Sequence, residues 1–156
     1  MIAPVSFEQV PWCENGIFLN ERPSFTLDPI FHSGAYYVQE ASSMFIEKAF
    51  HHMEHTKNRI VLDLCAAPGG KSTHLLSLLD ANDLLVSNEV IRSRVPVLDE
   101  NLRKWGYQNV VVCNNDPSDF TRLENLFDLI LVDAPCSGEG LFRRDASAIE
   151  QRSEEH

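Results

Sequence analysis

The sequence predicts an α/β fold built on a doubly wound, Rossmann-like parallel sheet. Three observations predict it. Apolar strand-like runs alternate with helix-like stretches from residue 58 onward; a glycine-rich turn, Gly69-Gly70, joins the first run to the next helix; and acidic residues stand where the runs end. In such sheets, ligands bind beyond the carboxyl ends of the strands. The size suits one domain: 156 residues, 44% of them hydrophobic and 23% charged. A chain of that length buries roughly 70% of its unfolded surface. Only 7 Gly and 8 Pro without a period exclude collagen-like and low-complexity chains.

The elements follow in order. Residues 1–57 read as a small α+β segment, with short apolar pieces punctuated by Pro11, Pro23, Pro29 and Gly34. Phe7, Phe18, Phe25 and Phe31 read as its core, and Ala41 to Met53 as a helix with Met44, Phe45, Ala49 and Phe50 on one face. The style changes near His55-Thr56-Lys57-Asn58, so residues 58–156 are taken as the second unit. Ile60 to Leu64 is a continuous apolar run broken by one acid, as in a strand buried on both faces. Ser72 to Leu79 is a helix, and Leu84-Leu85-Val86 a second strand ending near Asn88-Glu89. Ser93 to Trp105 is a second helix, with Val95, Leu98, Leu102 and Trp105 on one face, Pro96 in its first turn and Gly106 closing it. Val110 to Val112 and Leu129 to Val132 are the third and fourth strands.

Charge and cysteine usage narrow the setting. With 13 Lys+Arg against 23 Asp+Glu, the net charge is −10, so no global field draws this chain to a phosphate backbone. No apolar run approaches the ~18 residues of a membrane span, and Met1-Ile2-Ala3-Pro4 lacks the basic start of a signal peptide. Cys13, Cys65, Cys113 and Cys136 are too scattered for a disulfide framework and read as reduced thiols of a cytoplasmic protein.

Three segments carry chemistry. Asp63 to Ser72 runs from a strand end through Gly69-Gly70 into a helix, where bare backbone and free N–H groups receive an anionic ligand. It matches neither a phosphate-binding P-loop nor the dinucleotide glycine pattern, and a tight turn without a ligand is the bland alternative. Glu89 lies 20 residues after Gly69 at the next strand end, where an acid accepts from both hydroxyls of a ribose. Asp116, beyond the third strand, is placed either to accept from an adenine amino group or simply to make the turn Asn114-Asn115-Asp116-Pro117. Asp133 to Gly140 sets a carboxylate and the thiol of Cys136 at the same edge. His51, His52 and His55 lack a convincing third ligand, and Cys13, Cys65 and Cys113 have no metal-ligand spacing, so no metal is expected.

Residues 59–145 resemble the RNA (cytosine-5)-methyltransferases of the Nop/Sun family. The resemblance rests on Asp-Leu-Cys-Ala-Ala-Pro-Gly-Gly-Lys-Ser (63–72) and Asp-Ala-Pro-Cys-Ser-Gly-Glu-Gly (133–140). Pro11 to Glu14 and Tyr36 to Ser43 are similar to the family's N-terminal part and lean towards bacterial RsmF-like members, which act on small-subunit ribosomal RNA. The resemblance implies a class I methyltransferase fold with S-adenosyl-L-methionine as methyl donor. Cys65, Ala66, Ala67, Pro68, Gly69, Gly70 and Lys71 would hold its methionine end, Glu89 its ribose and Asp116 its adenine. Asp133 would lie between cofactor and cytosine with Lys71 near enough to pair with it, and Cys136 would assist proton removal. The family's attacking cysteine, on a later strand in a Thr-Cys-Ser-type segment, is not in the sequence, and only 20 residues follow Cys136. The resemblance therefore implies a sheet truncated after its fourth strand, with RNA as partner of the longer protein. The cut edge is expected to favour self-association, with poor order in residues 134–156. Two other readings compete: a methyltransferase acting on amines or small molecules, which Pro135-Cys136-Ser137 disfavours, and a catalytically inactive cofactor-binding module.

Overall fold

The computed structural model describes residues 7–20, 24–53 and 58–134. Two sheets organise them. β1 (Phe7–Gln9) and β2 (Ile17–Leu19) form an antiparallel pair, and the main sheet is parallel, with β3 (Ile60–Asp63), β4 (Leu84–Asn88), β5 (Val110–Cys113) and β6 (Leu129–Leu131) in the order β5-β4-β3-β6. The helices are α1 (Pro29–His32), α2 (Ile46–His51), α3 (Gly70–Leu78) and α4 (Val95–Trp105). The chain thus steps outward from β3 to β5, then returns to place β6 on the other side of β3. That reversal is a topological switch point between β3 and β6, the usual position of a ligand crevice in an open parallel sheet.

Alternation along the strands builds the core. Val61, Leu85, Val110, Val112, Leu129 and Leu131 share one face and pack with Leu75, Leu76 and Leu79 of the α3 region, Leu98 and Leu102 of α4, and Phe50 of α2. The opposite row pairs Leu62 with Val86 and Ile130, and Val86 with Val111. Val111 is 49% exposed and Ile130 52% exposed on that face. Pro96 sits in the first turn of α4 and Gly106 ends it in the left-handed region at φ 85°, as the sequence predicts.

The N-terminal part differs from expectation in two respects. Phe7 (62% exposed) and Phe18 are surface residues, because the two three-residue strands present them outward; Phe25 and Phe31 do cluster, around Tyr36. The helix expected over 41–53 splits into a 3-10 turn, Ala41–Phe45, and α2. That change of period turns Phe45 outward against Trp12 while Phe50 enters the core. β5 also ends the described sheet, so Cys113 is half-buried rather than enclosed. The segment is tied down by polar contacts: Trp12 Nε1 donates to Ala41 O at 2.8 Å, and Gly34, at φ 80°, lies so close to the Lys104 carbonyl that a Cβ would stand 2.0 Å from it.

Candidate functional site

The loop after β3 is pinned before it reaches the helix. Leu64 N–H donates to Leu131 O (2.9 Å), Ala66 N–H to Asn88 O (2.8 Å) and Gly69 N–H to Ala66 O (2.8 Å). Gly69 caps α3 with φ 110°, a conformation open to glycine and costly for side chains with a Cβ. The Ala67-Pro68 peptide is cis. Cys65, Ala66, Ala67, Pro68, Gly70 and Lys71 line a cleft of about 200 Å³ with Asp133 from the end of β6 and with Tyr37, Val38, Gln39 and Ser43 from the N-terminal segment. The cleft opens at the switch point between β3 and β6.

Lys71 Nζ donates to Asp133 Oδ2 at 2.6 Å, so two residues separated by 62 positions meet across the cleft. Beneath them Asp63 is 1% exposed; its Oδ2 accepts from Ser72 Oγ at 2.6 Å, which in turn accepts from Ser87 Oγ at 3.0 Å. Asp63 Oδ1 is buried and has no hydrogen-bond partner among the described residues. Burial pushes the Asp63 carboxyl up to about 6, against the opposing pull of Ser72 and Lys71. Cys65 is also pushed up, by burial first and then by Glu89, Asp63 and Asp133, so its thiol resists ionisation.

Glu89 is 2% exposed and lies under the glycine turn. Its oxygens accept from Ala67 N–H (3.2 Å) and Ile91 N–H (2.9 Å), and Arg94 Nη1 stands 3.5 Å away. Arg94 also donates to the Ala67 carbonyl, so it bridges the acid and the turn. Asp116 lies at the same edge but is a cap: its Oδ1 accepts from Ser118 N–H (2.9 Å) and Ser118 Oγ (2.6 Å) at the start of the 3-10 turn Pro117–Arg122. Cys136 lies outside the described residues. Sequence reasoning passed over Asp63, Tyr37, Gln39 and Arg94. Asp63, Tyr37 and Gln39 lie inside the quoted motifs, whereas Arg94 lies in the helix read over 93–105 and only the fold brings it to the glycine turn.

A second cluster lies away from the cleft. Cys13, Glu47 and His74 are all buried, with candidate ligand atoms within 4.8 Å of one another, although the sequence spacing shows no such set. His74 Nε2 stands 2.9 Å from Glu47 Oε2 and 3.7 Å from Cys13 Sγ, while Glu14 N–H donates to Glu47 Oε1 at 2.8 Å. Burial and the Glu47 carboxylate push the Cys13 thiol up to about 11. His74 Nδ1 is buried without a partner among the described residues, whereas a metal-bound histidine almost always has its second nitrogen hydrogen-bonded. The three groups act as a polar clamp between the N-terminal segment, α2 and α3.

Comparison with known proteins identifies the family. The family described as 16S rRNA methyltransferase RsmB/F matches residues 50–156, and the N-terminal domain of 16S rRNA methyltransferase RsmF matches residues 1–41. Ribosomal RNA small subunit methyltransferase F of Vibrio cholerae serotype O1 (strain M66-2) is 41% identical over 150 residues, covering 92% of this chain and 31% of that protein. Its counterpart in Pectobacterium carotovorum is 41% identical over 156 residues, covering 95% of this chain and 31% of that protein. The chain therefore spans about a third of the length of these curated relatives. A methyltransferase homolog protein from Pyrococcus horikoshii superposes with TM-score 0.75 at 34% identity, over 94% of this chain and 48% of that one. NSun6 from Pyrococcus horikoshii, crystallised with SFG, superposes with TM-score 0.66 at 28% identity, over 79% of this chain and 32% of that one. With both of its sequence motifs meeting at the Lys71–Asp133 contact and more than half of its length matched, the chain belongs to the RsmB/F family of 16S rRNA methyltransferases.

Proposed function

We propose that this chain carries the S-adenosylmethionine site of an RNA cytosine-C5 methyltransferase acting on ribosomal RNA. Residues 58–156 would supply the methyltransferase core and residues 1–57 the segment packed on it. The observation that carries the reading is the cleft in which Lys71 and Asp133 meet beside an open glycine turn, above the buried, unpaired Asp63 Oδ1. The residues fit the cofactor. Asp63 Oδ1 is an acceptor without a donor, which the ammonium of a methionine end supplies. The amino end of α3 offers N–H groups to the carboxylate, and by the family resemblance Glu89 would accept from the ribose and Asp116 from the adenine amino group.

S-adenosylmethionine, when bound, supplies an electrophilic methyl group. The remaining chemistry is demanding because cytosine C5 is a weak nucleophile. Addition of a thiolate at C6 makes C5 enamine-like; after methylation, loss of the C5 proton expels the thiolate. Asp133 would hold the base, Lys71 would fix the direction of that carboxylate, and Cys136, by family resemblance, would assist proton removal. Ribosomal RNA as substrate implies work in the cytoplasm, and no helix among the described residues is long and apolar enough to cross a membrane. Isothermal titration of the chain with S-adenosylmethionine tests the reading. Saturable one-to-one binding is expected, and no heat at millimolar ligand would refute it.

A further inference from the structure

The two sides of the glycine turn are furnished differently. A Cβ at Gly69 would meet Leu98 and Asn101 of α4, on the side of Glu89 and Arg94. A Cβ at Gly70 would stand 2.9 Å from Tyr37 Cε1 and 3.2 Å from Gln39 Oε1, so the stretch before the 3-10 turn lies directly on the other side. The cleft belongs to that second side: Tyr37, Gln39, Lys71 and Asp133 line it, and Glu89 and Asp116 do not. A cofactor whose ribose and adenine follow β4 and β5 would bring only its methionine end to the Cys65–Lys71 wall of this cleft, leaving the side of Tyr37, Gln39 and Asp133 for the group that receives the methyl. At about 200 Å³ the cleft is smaller than the roughly 300–1,000 Å³ pockets that enclose a whole small ligand, and it suits a single ring.

Gln39 is half-buried, and its amide makes no hydrogen bond among the described residues. An amide offers two donors and an acceptor oxygen, and here they are open to a ligand that enters the cleft. We propose that Gln39 contacts the target base directly, its side-chain amide hydrogen-bonding the Watson–Crick edge of a flipped cytosine beside the Lys71–Asp133 pair. The proposal rests on the reading of the cleft as the methyl-transfer site. Cytosine presents one amino donor and two acceptors along that edge. Asp133, an acceptor, takes the amino group; Gln39 donates to N3 or O2, and Tyr37 forms an aromatic wall of the kind that packs flipped bases. Uracil would turn O4 towards the Asp133 carboxylate, acceptor against acceptor. Asp133 therefore discriminates the base, and Gln39 orients it.

The test uses the 156-residue chain, ¹⁵N-labelled and saturated with S-adenosylhomocysteine. The Gln39 side-chain NH₂ signals are identified by their loss in Gln39→Glu, and cytidine or uridine 5′-monophosphate is then titrated. The expected result is that the cytidine nucleotide moves these signals while S-adenosylhomocysteine does not, and that Gln39→Ala weakens cytidine nucleotide binding at least fivefold with S-adenosylhomocysteine affinity unchanged. Uridine nucleotide is expected to bind more weakly. If S-adenosylhomocysteine moves the signals and loses affinity in Gln39→Ala, Gln39 belongs to the cofactor and the proposal is overturned. Equal cytidine nucleotide affinity in wild type and Gln39→Ala, or none in either, overturns it as well. Failure of the unsubstituted chain to bind S-adenosylhomocysteine would instead overturn the underlying reading of the site, and the proposal with it.

Discussion

Asp63 ends β3 with one oxygen bonded to Ser72 and the other buried without a partner among the described residues, and burial raises its carboxyl from 3.8 to about 6. The sign of the consequence is fixed by linkage. Between about pH 4 and pH 6 the folded chain keeps a proton that the unfolded chain has released, so this group makes stability fall as pH rises through that window. A bound ammonium beside Oδ1 favours the anion and draws the value down again. Carboxyl ¹³C shifts should therefore titrate near pH 6 in the free chain and lower in the presence of S-adenosylmethionine. A midpoint below 4 in the free chain would mean that water reaches Oδ1. Glu89 is the second residue with a measurable role. Glu89→Ala removes the acceptor for Ala67 N–H and the one proposed for the ribose hydroxyls, and is expected to weaken S-adenosylmethionine binding by about 1–3 kcal/mol in isothermal titration. Unchanged affinity would place the ribose elsewhere.

At the scale of elements, the buried Glu47 clamp ties the N-terminal segment to α3. Burial alone would raise the Glu47 carboxyl, but the Glu14 N–H, His74 and Cys13 together outweigh it and hold the group below its ordinary range. A depressed carboxyl contributes stability above the unfolded value and loses it as pH falls through the folded one, so acidification below about 4.5 should release this clamp. Glu47→Ala leaves His74 and Glu14 N–H unpaired in a buried place, at a cost of about 2–4 kcal/mol in urea unfolding. A loss under 0.5 kcal/mol would show that water replaces the carboxylate. The open face of the sheet makes a second prediction. Val111, Ile130 and Val132 are exposed, and among the described residues β6 pairs only with β3. Such an apolar edge invites pairing with another chain. Sedimentation velocity at rising concentration should reveal association that Ile130→Lys reduces; a strictly monomeric wild type would refute it. Residues 135–156, for which poor order was expected, lie outside the described residues.

For the molecule as a whole, the cysteines limit what this chain can do. The C6 addition needs a thiolate, yet Cys13 and Cys65 are both pushed towards the protonated thiol, and the sequence holds no Thr-Cys-Ser-type segment. A net charge of −10 also weakens the grip on a phosphate backbone. The 156 residues alone are therefore expected to give no radiolabelled methyl transfer to unmodified ribosomal RNA. Robust transfer abolished by Cys136→Ala would make Cys136 the nucleophile.

What the sequence by itself determined is local. Continuous apolar runs set β3 and β4, the glycine turn set the start of α3 and a three-to-four spacing set α4, each within a few residues, because these signals are local in the chain. The glycine turn, the strand-end acids and the two motifs were legible in the same way, and the parallel sheet expected from them is the one observed. The sequence was least legible where structure depends on distant partners. Whether Phe45 or Ile46 faces the core was decided by a change from 3-10 to α period, and Phe7 and Phe18 stayed at the surface because the two three-residue strands present them outward. Tertiary structure alone brought Lys71 to Asp133, Gln39 to Gly70, and Cys13 to Glu47 and His74. Those meetings join residues 31 to 62 positions apart, and pair geometry at such separations is fixed by how the elements pack rather than by the pattern within any one of them.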